Sequence, residues 1–523
     1  MAHIASPDTD ISVLDADDLG DVVADFTAAA QDWAGRPAIV HNGMPVSYED
    51  LADRVSLAAA SYRARRFDGD GTSGLIGVLV SHTPAVVEHL LGILQARAAY
   101  CPIDAALPDA RKQALAVVLG LDRLYATAPD QGGQSTLRIE TLDQADVAAD
   151  SDLLQPLWHR SDPAYVLCTS GSTGAPKPVV VSRHALTATV RALRDLFALT
   201  PEDRVLQFAS LGWDTCLEEI LPALTAGATL VFDDEAHSGS MPRFVRMLAE
   251  REITMLDLPT AFWHELVLYL DEERAALPAS VRLVVIGGER VDPTRLRQWR
   301  DLGTGHVRLL NTYGCTETTM ITHAVQLAGP GTEPELAAQV DAPLGRPLPH
   351  VRDHVTDEGE LLISGPSIAT GYLGMPEVTA KGFPVADYGS GPTRWFRTGD
   401  VVTRGERGLV YPRGRADEQV KVRGVRVHPA EVEAQLNTHP AVAGAVVVGE
   451  RLVGHTSLTA YVVATATTTP AELRRYLSER LPGQFVPSRV KFVAALAYTP
   501  SGKVDRAATQ RAAADYDSKG AGR

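Results

Sequence analysis

The strongest constraint on the fold is a rhythm. From about Asp21 to Leu409, short apolar runs rich in β-branched residues alternate with stretches of helical pattern. Leu75–Val80 (LIGVLV) predicts a buried strand, and Pro84–Ala96 predicts the helix after it. Tyr165–Cys168, Thr229–Phe232, Ile253–Leu258 and Leu283–Ile286 are further strand-like runs, each followed by helical sequence. This alternation predicts an α/β protein with largely parallel sheets. From Gly359 to Gly424 the character changes. Closely spaced strands and many glycines (GELLISG, RWFRTGD, RGERGLVYPRGR) predict a small β-rich unit. A second shift falls near Gly414–Asp417. The segments Val420–Val427, Pro429–Asn437, Ala443–Val448 and Thr456–Val463 read as strand, helix, strand and strand of a compact α+β unit. The expected division is therefore residues 1–414 and 415–523. Proline is tolerated in a first helical turn, which suits a helix starting at Pro429. The residues before about Gly20 read as a polar lead-in, and Ala512–Arg523 as a frayed end.

Charge and cysteine usage exclude several classes. Lys plus Arg is 49 against 65 Asp plus Glu, a net charge of −16. That is a poor balance for holding a nucleic-acid backbone, so no nucleic-acid partner is expected. Cys101, Cys168, Cys216 and Cys315 show no C-x-x-C spacing. A disulfide framework and a structural zinc site are not expected, and a reducing cytoplasm fits. The N-terminus lacks a basic start followed by an apolar core, unlike a secretory signal. Runs such as Gly74–Val80 and Ala441–Val448 fall far short of the roughly 18–20 apolar residues of a membrane span.

One loop suggests phosphate chemistry. Tyr165–Pro178 reads YVLCTSGSTGAPKP: a strand enters Thr169-Ser170-Gly171-Ser172-Thr173-Gly174, and Lys177 follows. Glycines let a backbone approach a polyanion, and consecutive N–H groups can form an anion nest. The spacing does not match G-x-x-x-x-G-K-[ST], because Pro176 stands at the second glycine position. Taken alone, such a loop is as readily a plain flexible turn. Four further motifs shift the balance. NTYGCTET (Asn311–Thr318) offers an aromatic ring for a purine, and Glu317 for Mg²⁺, which prefers oxygen ligands. WFRTGDV (Trp395–Val401) puts Asp400 in a turn suited to ribose hydroxyls. GRADEQVKVRG (Gly414–Gly424) and YTPSGKVDR (Tyr498–Arg506), with Lys503 on a Pro-Ser-Gly turn, complete the set.

These motifs, with AYCPID (Ala99–Asp104), LQFASLGWD (Leu206–Asp214) and GELLISGPSIATGYLG (Gly359–Gly374), resemble the adenylate-forming superfamily. The likeness is specifically to the amino-acid adenylation domains of nonribosomal peptide synthetases, over about Asp25 to Arg506. The resemblance implies a large N-terminal domain, a small mobile C-terminal domain and a hinge at Asp417. It implies ATP and Mg²⁺, attack of a substrate carboxylate on the α-phosphate with release of pyrophosphate, then transfer to a phosphopantetheine thiol. Carried over by position, Thr169–Gly174 and Lys177 would hold phosphates, Thr312 and Tyr313 would meet adenine, and Glu317 would bind Mg²⁺. Gly288, Glu289, Asn311, Gly314 and Thr316 would help form the ATP site. Asp400 would bind ribose, with Arg415 nearby. Lys503 would reach the carboxylate and the α-phosphate, with Glu317 and Thr169 as its catalytic companions. Three positions depart from the family pattern: Cys315 for proline, Met375 for arginine, and Pro412 for an aromatic, with Tyr411 one step early as its substitute.

The same resemblance assigns the substrate pocket to Asp214, Thr215, Glu218, Asp257, Val284, Ile286, Thr312, Met320 and Ile321. Asp214 would pair with the substrate amino group. Blander roles exist: Asp214 as a helix cap, and Glu218 as a solvated residue one turn on. Asp257 lies in an apolar strand (ITMLDLP), where an unpaired carboxylate is costly and a bound cation would offset that cost. The expected substrate is a basic amino acid, lysine or β-lysine first, then ornithine or diaminobutyrate. With no carrier-like segment after Arg506, the expected partner is a phosphopantetheinylated carrier protein acting in trans. Dependence on a small activator protein stays open. The competing expectations are an acyl-CoA ligase of the same superfamily and a non-catalytic nucleotide-binding relative.

Overall fold

The computed structural model describes residues 20–66, 74–128, 137–142, 159–171, 175–339, 341–389, 391–417, 419–452, 455–497 and 505–520. The polar lead-in, Ser172, Thr173, Gly174 and Lys503 lie outside the described residues.

The predicted α/β rhythm is borne out. Among the described residues one large sheet runs in the order Arg346–Pro347, Ile321–Ala328, Arg308–Gly314, Leu283–Gly287, Met255–Pro259, Arg204–Leu206, Thr229–Phe232, Pro37–His41, Met44–Ser47. Its central pairs are parallel and its edges antiparallel. A second sheet runs Gly371–Tyr372, Lys177–Ser182, Pro163–Thr169, Ala99–Asp104, Leu75–Val80, Arg123–Ala126, Arg138–Thr141. Helices cover these sheets, which explains why strands such as Thr229–Phe232 are buried at every position rather than alternating.

The glycine-rich stretch forms the expected antiparallel unit, ordered Arg352–Val355, Glu360–Ser364, Phe396–Arg404, Val410–Arg415. The C-terminal part has its own core around Val427, Val432, Leu458, Leu473 and Phe485. It packs helices Pro429–Leu436 and Pro470–Ser478 against the strands Val442–Leu452, His455–Ala464 and Arg489–Phe492.

Two expectations change. The run Val420–Val427 is a hairpin, Val420–Val422 against Val425–Val427, turned by Arg423 and Gly424 at positive φ. Two consecutive residues in that region suit a tight hairpin turn. The chain end is helical from Arg506 to Gly520 rather than frayed from Ala512. Its apolar periodicity is weak, but alanine and long straight-chain residues are good helix formers.

Candidate active site

A cavity of about 730 Å³ opens at the carboxyl ends of strands from both large sheets. Val80, Asp104 and Thr169 come from one sheet, and Leu258, Gly287 and Gly314 from the other. Ligands in open α/β folds bind at such edges, because there the loops diverge. The hairpin Lys421–Arg426 closes the remaining side.

Three acids share the inner wall: Asp214, Glu218 and Asp257. All are buried, at 7%, 7% and 4% exposure. Asp214 stands at the cap position of helix Thr215–Thr225, yet its side chain makes no capping bond. Its Oδ2 is buried without a hydrogen-bond partner, as is Oδ2 of Asp257. Glu218, one turn after Asp214, is not solvated. Burial pushes Asp214 up to about 6, against the pull of Thr316. Burial pushes Asp257 up to about 7, against a hydrogen bond with Glu218. Glu218 is raised well above the ordinary range, by burial and then by the charges of Asp257 and Asp214. Unpaired buried carboxylates of this sort are expensive, and clusters of raised carboxyls mark functional sites.

Strand register corrects two pocket residues. Asp257 pairs with Val285, and Val285 with Leu310; Pro259 pairs with Gly287, and Gly287 with Thr312. Side chains alternate along a strand, so Asp257, Val285 and Gly287 share one face of the sheet. Asp257, Gly287 and Thr312 line the cavity, while Val285 is packed in the core with Leu283 and Leu310. Val284 and Ile286 do not line the cavity and lie in the core with Leu256 and Trp263. A Cβ on Gly287 would meet Thr312 Oγ1 at 2.7 Å, so this glycine keeps the floor open. Thr215, Met320 and Ile321 line the cavity as expected. Thr319 and Met320 both have positive φ, and a Cβ on Gly314 would lie 1.7 Å from the Met320 carbonyl. Only glycine fits there, a reason for its place in NTYG that has nothing to do with nucleotide.

Of the residues expected at the ATP site, Thr169, Ser170, Gly288, Gly314, Thr316 and Glu317 line the cavity. Glu317 Oε1 accepts from Thr169 Oγ1 at 3.3 Å and from the Tyr372 hydroxyl at 3.2 Å. Its Oε2 is buried without a hydrogen bond and faces Arg426 Nη1 at 3.6 Å. Lys177 lies over the Tyr372 ring, 5.5 Å from its centroid, opposite Thr169 in the strand pair. Glu289 accepts from the Gly424 N–H at 2.6 Å. Asn311 departs from expectation: it points away from the cavity and donates to the Pro343 carbonyl at 2.7 Å. The Tyr411 hydroxyl donates to Gln339 and is not a substitute wall.

Tyr313, Asp400 and Arg415 form a network beside the cavity. The Tyr313 hydroxyl donates to Asp400 Oδ2 at 2.6 Å, and Arg415 Nη1 donates to Asp400 Oδ1 at 2.7 Å. Burial pushes Asp400 up, but Arg415, Lys421 and Arg426 outweigh it and hold it below the ordinary range. Lys421 lies over the Tyr313 ring at 5.5 Å. Arg415 also grips Asp417 through two nitrogens, at 2.6 and 2.8 Å.

Sequence reasoning missed Gly287, Lys421, Arg426 and Glu219. Glu219 is fully buried and accepts from the Phe208 and Ala209 N–H groups and from Gln207 Nε2, which braces the loop before Asp214. The one available signal was a second acid directly after Glu218. For Lys421 and Arg426 it was charge in a motif already singled out.

Residues 26–373 match the family model of AMP-binding enzymes, and residues 431–503 match the AMP-binding enzyme C-terminal domain. An isonitrile lipopeptide synthase of Streptomyces coeruleorubidus is 38% identical over 94% of this chain, which spans 33% of that protein. A dimodular nonribosomal peptide synthase of Bacillus subtilis is 31% identical over 90% of this chain, which spans 20% of that protein. Novobiocin biosynthesis protein H of Streptomyces niveus is 33% identical, over 90% of this chain and 79% of that one. Two solved structures share the fold. One is an artificially fused adenylation–PCP di-domain from Klebsiella oxytoca (TM-score 0.78, 24% identity, 90% of this chain and 94% of that one). The other is an o-succinylbenzoate CoA synthetase of Bacillus subtilis (TM-score 0.80, 21% identity, 93% and 98%). The family match and the relatives, on this two-part build with its sheet-edge cavity, identify an adenylate-forming ligase that uses ATP. The chain belongs to the family of AMP-binding enzymes. Among the described residues no helix is long and apolar enough to cross a membrane.

Proposed function

We propose that this protein adenylates a basic amino acid, lysine or β-lysine, and passes it to the phosphopantetheine thiol of a carrier protein in nonribosomal peptide synthesis. The observation that carries the substrate is the inner wall: two buried carboxylate oxygens, Asp214 Oδ2 and Asp257 Oδ2, without hydrogen-bond partners. A diamino acid brings two ammonium groups to such oxygens. A neutral side chain would leave Asp257 uncompensated.

In this reading the amino group near the reacting carboxylate meets Asp214, and the side-chain ammonium meets Asp257. Thr169–Gly174 and Lys177 bind the phosphates, Tyr313 and Thr312 the adenine, and Asp400 the ribose. The buried, hydrogen-bond-free Oε2 of Glu317 fits a hard cation, so Glu317 would hold Mg²⁺. When bound, Mg²⁺ would neutralise phosphate charge. Lys503 contacts the carboxylate and the α-phosphate, where positioning and electrostatics carry an in-line displacement. The C-terminal part, from residue 415, moves about a hinge at Asp417. A CoA ligase activity is the competing outcome, and a buried acid at Asp214 suits an amino acid better than a plain acyl chain.

The test is ATP–pyrophosphate exchange across lysine, β-lysine, ornithine, diaminobutyrate and norleucine. Lysine-length diamino acids are expected to lead. Equal exchange with norleucine would remove the substrate assignment. Product formation with free CoA would favour the competitor.

A further inference from the structure

Three acids face a substrate with two ammonium groups, and that mismatch asks for a charge count. Glu218 and Asp257 line one cavity, both more than nine-tenths buried, with their carboxyls within hydrogen-bonding reach of each other. Two carboxyls this close in a dry site do not both ionise; one proton stays between them. The surroundings indicate which acid keeps it. Glu218 faces two acids of the cavity, Asp257 across the pocket and Asp214 one turn earlier. Asp257 faces Glu218 and, behind it, Glu219, whose carboxyl burial pushes well above the ordinary range and whose oxygens accept from two backbone N–H groups and Gln207, so that it adds no charge to the count. Cys216 on the same helix and Tyr165 on strand Pro163–Thr169 are the other titratable neighbours, and burial keeps both neutral. The Lys and Arg cations of the cavity belong to the hairpin: Lys421 lies over the Tyr313 ring, Arg426 faces Glu317 and Asp400, and Arg423 is exposed to solvent.

We propose that Glu218 keeps the proton and donates it to Asp257, so that three acids present two charges to the two ammonium groups of the substrate. This rests on the diamino-acid reading above. Asp214 then answers one ammonium and Asp257 the other. Glu218 is a positioning residue: its O–H fixes one Asp257 oxygen and leaves Oδ2 aimed at the side-chain ammonium. A pocket that is neutral when filled avoids the cost of a buried surplus charge.

The test compares lysine and norleucine in pyrophosphate exchange for the wild type, Glu218→Gln, Glu218→Ala and Asp257→Asn. Glutamine keeps a donor without a charge. The expected KM for lysine rises several-fold in Glu218→Gln, but about 10²–10³-fold in Asp257→Asn, the scale of an unpaired buried charge. Glu218→Ala, which lacks the donor, falls between. A loss in Glu218→Gln as large as that in Asp257→Asn overturns the proposal. Infrared difference spectra of the lysine-bound protein give a second readout that survives a folding failure. A protonated-carboxyl C=O band is expected in the wild type, and its absence there overturns the proposal as well. If the wild type shows no preference for lysine over norleucine, the diamino-acid reading itself falls. If the preference holds but glutamine fails to rescue, only the placement of the proton falls.

Discussion

Arg111 Nη1 and Glu431 Oε1 stand 2.6 Å apart, 320 residues distant in sequence and both buried. Arg111 lies on helix Asp109–Leu119, Glu431 in the first turn of helix Pro429–Leu436. The Arg111 guanidinium also lies 5.8 Å from the centroid of the Phe485 ring. Two more contacts follow the same seam: Ser170 Oγ donates to the Arg426 carbonyl at 2.9 Å, and the Gly424 N–H donates to Glu289. In this arrangement the C-terminal part is held against the loop after strand Pro163–Thr169 and against the rim of the cavity. Removing one partner of a buried pair leaves an uncompensated charge, at a cost of about 3–5 kcal/mol. We predict that Arg111→Met speeds hydrogen exchange across Pro429–Leu436 while strands Met255–Pro259 and Leu283–Gly287 stay protected. Adding Glu431→Gln should restore part of the protection. Unchanged exchange in the single variant would show that the pair is no tether.

The pocket acids predict a pH dependence. Burial raises Asp214 to about 6 and Asp257 to about 7, above the ordinary aspartate value. A raised folded-state pKa means the native state binds more protons than the unfolded one in the window between the two values. The stabilising contribution of these acids is therefore complete below the unfolded value and is lost as pH rises through about 6 to 7. A cationic substrate needs them ionised, so its binding strengthens over the same window. The rise in melting temperature caused by lysine should grow from about pH 5.5 to about pH 8. Asp257→Asn should flatten that growth. An increment that shrinks with pH would contradict the assignment.

Gly287 sets the depth of the pocket. A Cβ there meets Thr312 Oγ1 at 2.7 Å, and the backbone is not in the left-handed region, so a side chain is a problem of space alone. Gly287→Val should raise KM for lysine by roughly tenfold or more, a cost of about 1–3 kcal/mol for overpacking. Diaminobutyrate should suffer less. Equal losses for both lengths would move the floor of the pocket elsewhere.

Lys503→Ala should lower pyrophosphate exchange by about 10²–10³-fold, the scale for one preorganised charge donor. Exchange near wild-type levels would remove its catalytic role. Glu317→Gln should raise the Mg²⁺ concentration needed for half-maximal exchange, since one carboxylate charge is lost to the cation. An unchanged Mg²⁺ requirement would free Glu317 from that duty.

Much was legible from the chain alone because it is local. Strand-to-helix alternation, the loop Thr169–Gly174 and the order of the motifs depend on neighbours in sequence, and a family resemblance follows from them. Asp257 announced itself by being a charge inside an apolar run. Asn311 and Tyr411 sat in the right motifs and still turned to Pro343 and Gln339. Nothing in a motif says which side of the sheet a side chain occupies.

That last point divides the two sources of information. Local pattern by itself determined the fold class, the family and the presence of three acids near a nucleotide motif. Tertiary structure alone decided that Asp257 and Gly287 line the cavity while Val284 and Ile286 turn into the core, because a strand alternates every residue and a shift of one inverts the wall. It alone brought Arg111 to Glu431 and Glu218 to Asp257, since burial and pairing are properties of the space between distant segments.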